Sequence, residues 1–513
     1  MEAARRTEPV FNRVRRNVFY SYVNSASQLV AIALLIPLFT RCLGREVYGE
    51  LLVIVTISSG LLLATLGLDQ AFVNRIAEAR VEGDDARVEA MVSTVFFTYL
   101  SVAGILLLAL LSFSGWTARH FVSRTDPDAA MALFALGSLT ALSLPLRTYA
   151  MLLRGIEAVH EERKLAAITI IGGAAVTVLA LWMGYRLVAV AAIQGIATIG
   201  AGVLAWSRVR VLCPGLRPRI ASASTGLLRW LLIPSLWFAV MQASASIGFG
   251  TDNLVIGWVL GPGSVARYAI PYMIIVRGGA GIFATLASAL LPTITATYAR
   301  RQNVLLRSWL SLMMRFALLY AGIGAVFFWI AGPWIIRLWA GLGIFPDSTT
   351  FSLMIVLFVT QILIFPAFTI LIATTRHYKP ALVHVIEAFL NLSLSIWWAH
   401  HFGLPGVIAG TVVARLLTSA WYLPYAAVKS ITAAQGLFER RLSAPLMLTI
   451  VASIAAFIIS PRYWTSVRGP APLVALGIAT AFVLLFGWIS FSADELRAGF
   501  NQVSSSLKWR SSS

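Results

Sequence analysis

The sequence predicts an all-α polytopic membrane protein with about fourteen transmembrane helices, arranged as two pseudo-symmetric six-helix halves plus two C-terminal helices. Three observations predict this class. Of the 513 residues, 59% are hydrophobic and only 12% are charged, whereas a soluble domain is roughly 25% charged. The apolar residues form blocks close to the ~20 residues that cross a bilayer core. Landmarks in the first six blocks also recur, in the same order, in the next six.

The apolar blocks are predicted to be helices, because a backbone in lipid must pair its polar groups within its own segment or within a closed barrel. The blocks are too long and too uniformly apolar for alternating barrel strands. This pattern excludes a soluble multidomain enzyme, a secreted disulfide scaffold and a disordered protein. The predicted spans are 18–40, 49–72, 91–115, 129–153, 166–185, 187–206, 231–258, 268–297, 306–330, 350–373, 381–399, 404–425, 443–460 and 471–491.

An internal repeat divides the chain. The matched landmarks are Leu43-Gly44 with Leu260-Gly261, Pro145-x-x-Thr148 with Pro366-x-x-Thr369, and Gly184 with Gly403. We therefore predict an N-terminal six-helix half at 1–206, a basic cytoplasmic linker at 207–230, a C-terminal six-helix half at 231–425, and two extra helices with a cytoplasmic tail at 426–513. Because six is even, the halves insert with the same orientation, as in transporters built from parallel repeats around a central cavity. This architecture favours transport by alternating access.

The net charge of +19 arises from 40 Lys and Arg against 21 Asp and Glu. The basic residues are concentrated in the loops predicted to lie on the same side of the membrane as the N-terminus, for example at Arg75, Arg163 and Arg217. This asymmetry is the positive-inside rule and places both termini in the cytoplasm. The charge therefore requires no nucleic-acid partner, and no nucleic-acid-binding motif is present. With two cysteines and no Cys/His cluster, we expect no structural metal.

Several motifs point to a known family. They are Pro37-Leu38-Phe39-x-Arg41-x-Leu43-Gly44-x-x-x-Tyr48-Gly49, Leu66-Gly67-Leu68-Asp69 and Asp252-x-x-Val255-Ile256-Gly257. The chain resembles, over essentially its whole length, the polysaccharide transporter branch of the multidrug/oligosaccharidyl-lipid/polysaccharide (MOP) flippase superfamily. The resemblance implies a flippase in the bacterial inner membrane that moves an undecaprenyl-diphosphate-linked oligosaccharide to the outer leaflet, for export of O-antigen, capsule or exopolysaccharide. We expect a monomer. Its expected partners are membrane lipids, a polysaccharide polymerase and other assembly proteins.

Four arginines lie inside predicted spans, and they are the principal candidates for substrate binding. They are Arg147, Arg277, Arg315 and Arg415. A charge at the bilayer centre costs about 2.5–3.5 kcal/mol on insertion scales, so a retained one usually faces protein or water. Because guanidinium suits bidentate phosphate contact, we expect these residues to line the cavity and hold the diphosphate or acidic sugars. The alternative is that they form structural ion pairs or extend to an interface.

Intramembrane acids are the candidates for ion coupling. They are Asp252 and Glu387, with Asp69 nearer a span end, and His384 lies on the same helical face as Glu387 at i, i+3 spacing. A carboxylate beside a histidine can carry a proton in an antiport cycle, so no cofactor is expected beyond a coupling proton or sodium ion. The alternative is a structural carboxyl, with Glu387 paired to Arg415.

Polar residues also form stripes on two apolar helices. Asn24 and Gln28 belong to such a stripe on the first helix, and Gln242 belongs to a fainter one on the seventh. In a two-half architecture both helices border the cavity, so these side chains are candidates for contact with sugar hydroxyls. The alternative is that they hold membrane helices together.

Three other functions make different demands on the sequence. An ion-coupled multidrug exporter of the same superfamily would need an acidic, aromatic cavity for lipophilic cations. A membrane-embedded polysaccharide polymerase or ligase would gather acid/base residues on a large outer loop, whereas the predicted outer loops are short and hold few carboxylates. An enzyme is therefore disfavoured. A scaffold for glycan-assembly proteins would leave the intramembrane charges without a purpose.

Overall fold

The computed structural model describes residues 10–123, 127–374, 378–431 and 477. These residues form long helices and contain no strand. In chain order the helices are α1 (Val10–Cys42), α2 (Gly44–Gly60), α3 (Leu68–Glu82), α4 (Asp85–Thr117), α5 (Pro127–Gly155), α6 (Val159–Trp182), α7 (Leu187–Leu212), α8 (Thr225–Leu260), α9 (Pro262–Tyr272), α10 (Ala280–Ala299), α11 (Asn303–Ala340), α12 (Ser348–Ala373), α13 (Tyr378–Phe402), α14 (Leu404–Leu417) and α15 (Ser419–Ser430).

The helices have the length and composition of membrane spans. Among the described residues, eleven helical segments are long and apolar enough to cross a membrane. Helix α8 covers the predicted seventh span with 36 residues, more than a crossing requires. Large apolar side chains on these helices face outward, as at Ile105, Leu108 and Leu111 of α4. The predicted all-α polytopic class is thereby confirmed, while the two C-terminal spans, 443–460 and 471–491, lie outside the described residues apart from residue 477.

The described residues fall into two compact units. The first contains those of Met1–Ala269 and Leu392–Val407, and the second contains those of Ile270–Asn391 and Ile408–Ser513. In the first unit α5 packs against α4 and α7, α1 packs against α6, and α8 packs against α2 and α3. In the second unit α12 packs against α10, α11 and α15.

The predicted second span, 49–72, is interrupted in the structure. Leu66 and Gly67 both adopt left-handed backbone conformations, with φ of 51° and 69°. This conformation is free of Cβ strain at the glycine but unfavourable at the leucine. The helix restarts at α3, so Asp69 lies in its first turn, where the helix dipole favours a carboxylate.

Gly49 permits a close approach between α2 and the start of α9. A Cβ added at Gly49 would overlap the carbonyl oxygen of Pro262, which is backbone and has little freedom to move aside. We expect Gly49→Val to destabilise the protein by about 1–3 kcal/mol, as overpacking generally does. Thermal unfolding in detergent measures the effect. Gly104→Val is the matched control, because among the described residues nothing beyond its own stretch of helix lies within 4 Å of an added Cβ at Gly104. Equal stability of both variants would contradict this packing.

Candidate functional site: intramembrane charge clusters

In the first unit, the carboxylate of Asp69 joins three helices. Tyr99 of α4 donates its hydroxyl to Oδ1 of Asp69 at 2.6 Å. From α5, Nε of Arg147 donates to Oδ2 at 2.7 Å, and Nη2 lies 2.5 Å from the same oxygen. We call these three residues the Asp69 cluster. The structure thus brings together two residues for which the sequence suggests different roles, Asp69 in ion coupling and Arg147 in substrate binding.

The cluster leaves part of the Arg147 guanidinium available. The Arg147 side chain is 36% exposed and that of Asp69 is 15% exposed, whereas Tyr99 is fully buried. One edge of the guanidinium is occupied by the carboxylate, and Nη1 has no hydrogen-bond partner among the described residues. The pair is electrically balanced while Arg147 keeps a free donor, which suits contact with a further anion.

In the second unit, Glu387 and Arg415 form a buried ion pair between α13 and α14. Nε of Arg415 lies 3.0 Å from Oε1 of Glu387, and the two side chains are 7% and 10% exposed, respectively. Thr418 donates to Oε2 of Glu387 at 3.4 Å, and Nδ1 of His384 lies 3.7 Å from the same oxygen. We call these four residues the Glu387 cluster. This arrangement is the structural ion pair that the sequence left open as an alternative.

The Glu387 cluster is removed from solvent. Nη1 of Arg415 is buried and has no hydrogen-bond partner in the described part of the chain. A turn away, Thr411 donates to Oδ1 of Asn391 at 2.9 Å, again between α14 and α13. In this conformation Arg415 is held by protein groups rather than exposed to a ligand.

Arg277 has a different environment. It lies in a π-helical segment, Met273–Gly279, and its side chain is exposed. Within the described ranges its guanidinium has no ion-pair or hydrogen-bond partner. Tyr320 donates to the carbonyl oxygen of Gly279 at 2.7 Å, which ties the end of the segment to α11. Because π-helical turns are rare and concentrate at functional sites, this segment is a candidate for substrate binding.

The other predicted site residues have varied surroundings. Arg315 is buried on α11, and its Nη2 donates to Ser311 at 3.3 Å. Asn24 is buried, and its Oδ1 has no hydrogen-bond partner within the described residues. Gln28, one turn later on the same helix, is exposed. The predicted stripe on α1 therefore does not provide one uniform surface.

The two remaining candidates lie on α8. Asp252 is buried and accepts a hydrogen bond of 2.5 Å from the hydroxyl of Tyr268. Gln242 is half-buried. In the described ranges, no group of three or more His, Cys, Asp or Glu residues has the arrangement of a metal site.

A charged network at the start of α6 was not predicted from the sequence. Arg208 contacts Glu161 at 2.6 Å, and Arg154 contacts Glu162 at 2.9 Å. The backbone amide and Nδ1 of His160 also lie 2.9 and 3.2 Å from Oδ1 of Asn17. These contacts join the ends of α1, α5 and α7 to α6. The run His-Glu-Glu-Arg at 160–163 was the available signal, because charges of both signs immediately before an apolar span can pair across helices.

Comparison with known proteins identifies the family. A family described as "Polysaccharide biosynthesis protein" matches residues 14–298, more than half of the chain. No curated protein sequence matches. Among solved structures, the chain is similar to one described as "Lipid II flippase MurJ, inward closed conformation". That similarity has 14% identity and a TM-score of 0.65, and it covers 92% of this chain and 98% of the other.

Two further structures share the fold. An inward-facing multidrug resistance MATE family transporter of the MOP superfamily matches with 14% identity and a TM-score of 0.62, over 86% of this chain and 99% of the other. A MOP superfamily transporter from Pyrococcus furiosus, described as having a binding pocket of reverse polarity, matches with 13% identity and a TM-score of 0.54, over 89% and 96%. This chain has the fold of MOP superfamily transporters and belongs to the polysaccharide biosynthesis protein family.

Proposed function

We propose that this protein flips undecaprenyl-diphosphate-linked oligosaccharides from the inner to the outer leaflet of the bacterial inner membrane. The oligosaccharides would be repeat units of O-antigen, capsule or exopolysaccharide. Membership of the polysaccharide biosynthesis family supports a glycan substrate. A fold shared with a protein described as a lipid II flippase supports a lipid-linked substrate. The fold is also that of transporters, which supports alternating access rather than an enzymatic role.

The observation that carries the proposal is the exposed guanidinium of Arg277, which has no partner in the part of the chain that the structure describes. It lies within Pro262–Thr285, a segment apolar enough to cross a membrane. A lone cation at membrane depth needs water or an anionic partner, and a diphosphate can accept two parallel hydrogen bonds from a guanidinium. One turn later, beyond its own stretch of helix, nothing in the described part of the chain lies within 4 Å of a Cβ added at Gly281, which leaves room for a bulky ligand. An ion-coupled exporter of lipophilic cations is the alternative, but such a substrate would be repelled by Arg277.

We also propose an orientation in the membrane and an energy source for transport. Both termini lie in the cytoplasm, on the side of the basic loops. A proton or sodium gradient drives the cycle through Glu387 or Asp69, each of which is held by an arginine, and Asp252 and His384 are further candidates. No cofactor takes part. The protein acts as a monomer beside a polysaccharide polymerase and other assembly proteins, with membrane lipids around it.

A leaflet-transfer assay tests the proposal. The full-length protein is reconstituted in vesicles with a fluorescent polyprenyl-diphosphate oligosaccharide, and transfer is followed by chemical quenching of the outward-facing label. We expect Arg277→Ala to slow transfer at least about tenfold, because a charge-assisted contact with the diphosphate is lost. Arg277→Lys keeps the charge without the planar fork and should give an intermediate rate.

The control variant is Arg186→Ala, which removes an exposed arginine from the turn between α6 and α7. We expect it to transfer at the wild-type rate. Unchanged transfer in Arg277→Ala would refute the role of Arg277. Absence of transfer by the wild type, across lipid-linked oligosaccharides of varied composition, would refute the flippase assignment.

A further inference from the structure

The same Trp-x-x-x-His motif occurs twice, at the ends of two helices. At the end of α4, Nδ1 of His120 lies 2.9 Å from the carbonyl oxygen of Trp116. At the end of α13, Nδ1 of His401 lies 2.9 Å from the carbonyl oxygen of Trp397. In both cases the imidazole also contacts the indole, with ring centroids 4.5 and 6.1 Å apart. Both histidines are exposed.

This geometry determines which nitrogen of each imidazole is available. A carbonyl oxygen only accepts hydrogen bonds, so Nδ1 of His120 and of His401 carries the proton and donates it. In the neutral ring, Nε2 is then an acceptor. The neighbouring indoles of Trp116 and Trp397 are 51% and 60% exposed. Each motif therefore presents a hydrogen-bond acceptor beside a solvent-exposed indole.

Within the first unit, ring contacts lead from the first motif to His400 of α13, the residue just before His401 of the second motif. Phe121 lies 6.1 Å from Trp116 and 6.4 Å from Trp258, measured between ring centroids. Trp258, at the end of α8, meets His400 edge to face at 6.0 Å. We call this surface the tryptophan–histidine ridge, and its residues are Trp116, His120, Phe121, Trp258, Trp397, His400 and His401.

Backbone packing holds the ridge in place. A Cβ added at Gly257 would lie 2.7 Å from the carbonyl oxygen of Phe121, so α8 touches the turn that ends α4. At the end of α13, Gly406 lies directly against the carbonyl group of Trp398. Because these contacts hold the backbone that carries the rings, little backbone freedom is lost when a ligand binds, which favours affinity.

The chemistry of the ridge fits a carbohydrate. A pyranose ring has an apolar C–H face that packs on an indole, and its hydroxyls donate to acceptors such as Nε2 of His120. An anion would be repelled by those lone pairs, and a lipid tail would not use them. Ordinary interfacial tryptophans differ: Trp182, at the end of α6, is 87% exposed and has no ring partner among the described residues.

We propose that the tryptophan–histidine ridge is a carbohydrate-binding site for the sugars of the translocated oligosaccharide. The ridge includes the end of α8 that lies furthest from the basic linker. Because the linker is proposed to be cytoplasmic, this end lies on the outer side of the membrane, where the glycan is released. The proposal rests on the proposed function for the source of the sugar. The binding chemistry itself requires only the ridge, and a glycan lacking its lipid diphosphate should therefore still bind.

The test uses the full-length protein in nanodiscs and lipid-free oligosaccharides released by mild acid from the polyprenyl diphosphates of the native host. Binding is measured by isothermal titration calorimetry. We expect Trp258→Leu to raise Kd about tenfold, since it removes the central stacking face. His120→Phe keeps a ring against Trp116 and removes the acceptor, and we expect it to raise Kd about threefold.

Trp182→Leu is the matched control and should leave Kd unchanged, because Trp182 lies at a helix end but outside the ridge. No binding by the wild type would overturn the proposal. Equal weakening by Trp182→Leu and Trp258→Leu would also overturn it, because it would indicate a general interfacial role.

The outcome is separable from that of the leaflet-transfer assay. Transfer that depends on Arg277 without any binding of the lipid-free glycan would refute the ridge alone. Binding that depends on Trp258 without any transfer would refute the flippase and leave the carbohydrate site standing.

Discussion

Replacing Arg415 with alanine should destabilise the protein by about 3–5 kcal/mol, the range measured when one partner of a buried ion pair is removed. The side chain of Glu387 is only 10% exposed and lies 3.0 Å from Arg415. Without the guanidinium, a buried carboxylate on a membrane-spanning helix would lose its permanently charged partner. Unfolding of the purified protein by increasing SDS in mixed micelles measures the change.

A double variant separates the ion pair from other effects of the substitution. Glu387→Gln alone should also destabilise, because it leaves the Arg415 charge buried. Combining Glu387→Gln with Arg415→Gln removes both charges and keeps hydrogen-bonding groups, so most of the stability should return as a coupling energy between the two sites. A double variant as unstable as Arg415→Ala would show that the loss comes from packing.

The folded double variant also tests ion coupling. If Glu387 carries the coupling proton, leaflet transfer by the double variant should no longer respond to an imposed pH gradient, although the protein remains stable. An unchanged response would remove Glu387 from the coupling pathway. The same measurement with a sodium gradient distinguishes the two candidate ions.

The membrane fold was predictable from the sequence because the bilayer imposes two strict conditions. A span needs about 20 apolar residues, and its backbone must pair internally. Those conditions locate the helices from block length alone. They do not locate the break after α2, because hydropathy continues through Leu66 and Leu68 while the interruption depends on left-handed backbone angles at Leu66 and Gly67.

The sequence predicts which residues could form the candidate site, but it does not predict which of them pair with each other. Asp69 and Arg147 stand out because each places a charge in or beside an apolar span, yet they are 78 residues apart. Helix neighbours at that separation are set by packing, which no local pattern encodes. Tyr99 was missed for a related reason: its hydroxyl becomes informative only when Asp69 is placed 2.6 Å away. Glu387 and Arg415 were recognised as an alternative pair because both are intramembrane charges of opposite sign.

Replacing Asp69 with alanine should have the other large effect, a destabilisation of about 3 kcal/mol. The Tyr99 hydroxyl would be left buried without its acceptor, and the partly buried Arg147 would lose its counter-charge. An unsatisfied buried donor costs about 1–3 kcal/mol, and charged groups cost more. Tyr99→Phe removes the hydrogen bond to Asp69 but leaves both charges of the cluster in place, and it should destabilise by about 1–2 kcal/mol. Unfolding in mixed SDS micelles ranks the two variants.

Asp69→Asn distinguishes a structural role of this cluster from a role in transport. The amide oxygen still accepts from Tyr99, so stability should fall less than in Asp69→Ala, while the charge that balances Arg147 is gone. If Arg147 binds the diphosphate, the freed guanidinium should bind it more tightly and release it more slowly. We therefore expect Asp69→Asn to lower both the Kd for a polyprenyl diphosphate and the leaflet-transfer rate, whereas Asp69→Asn combined with Arg147→Gln should lose the tighter binding. A Kd equal to that of the wild type in Asp69→Asn would show that Arg147 serves only to hold α3, α4 and α5 together.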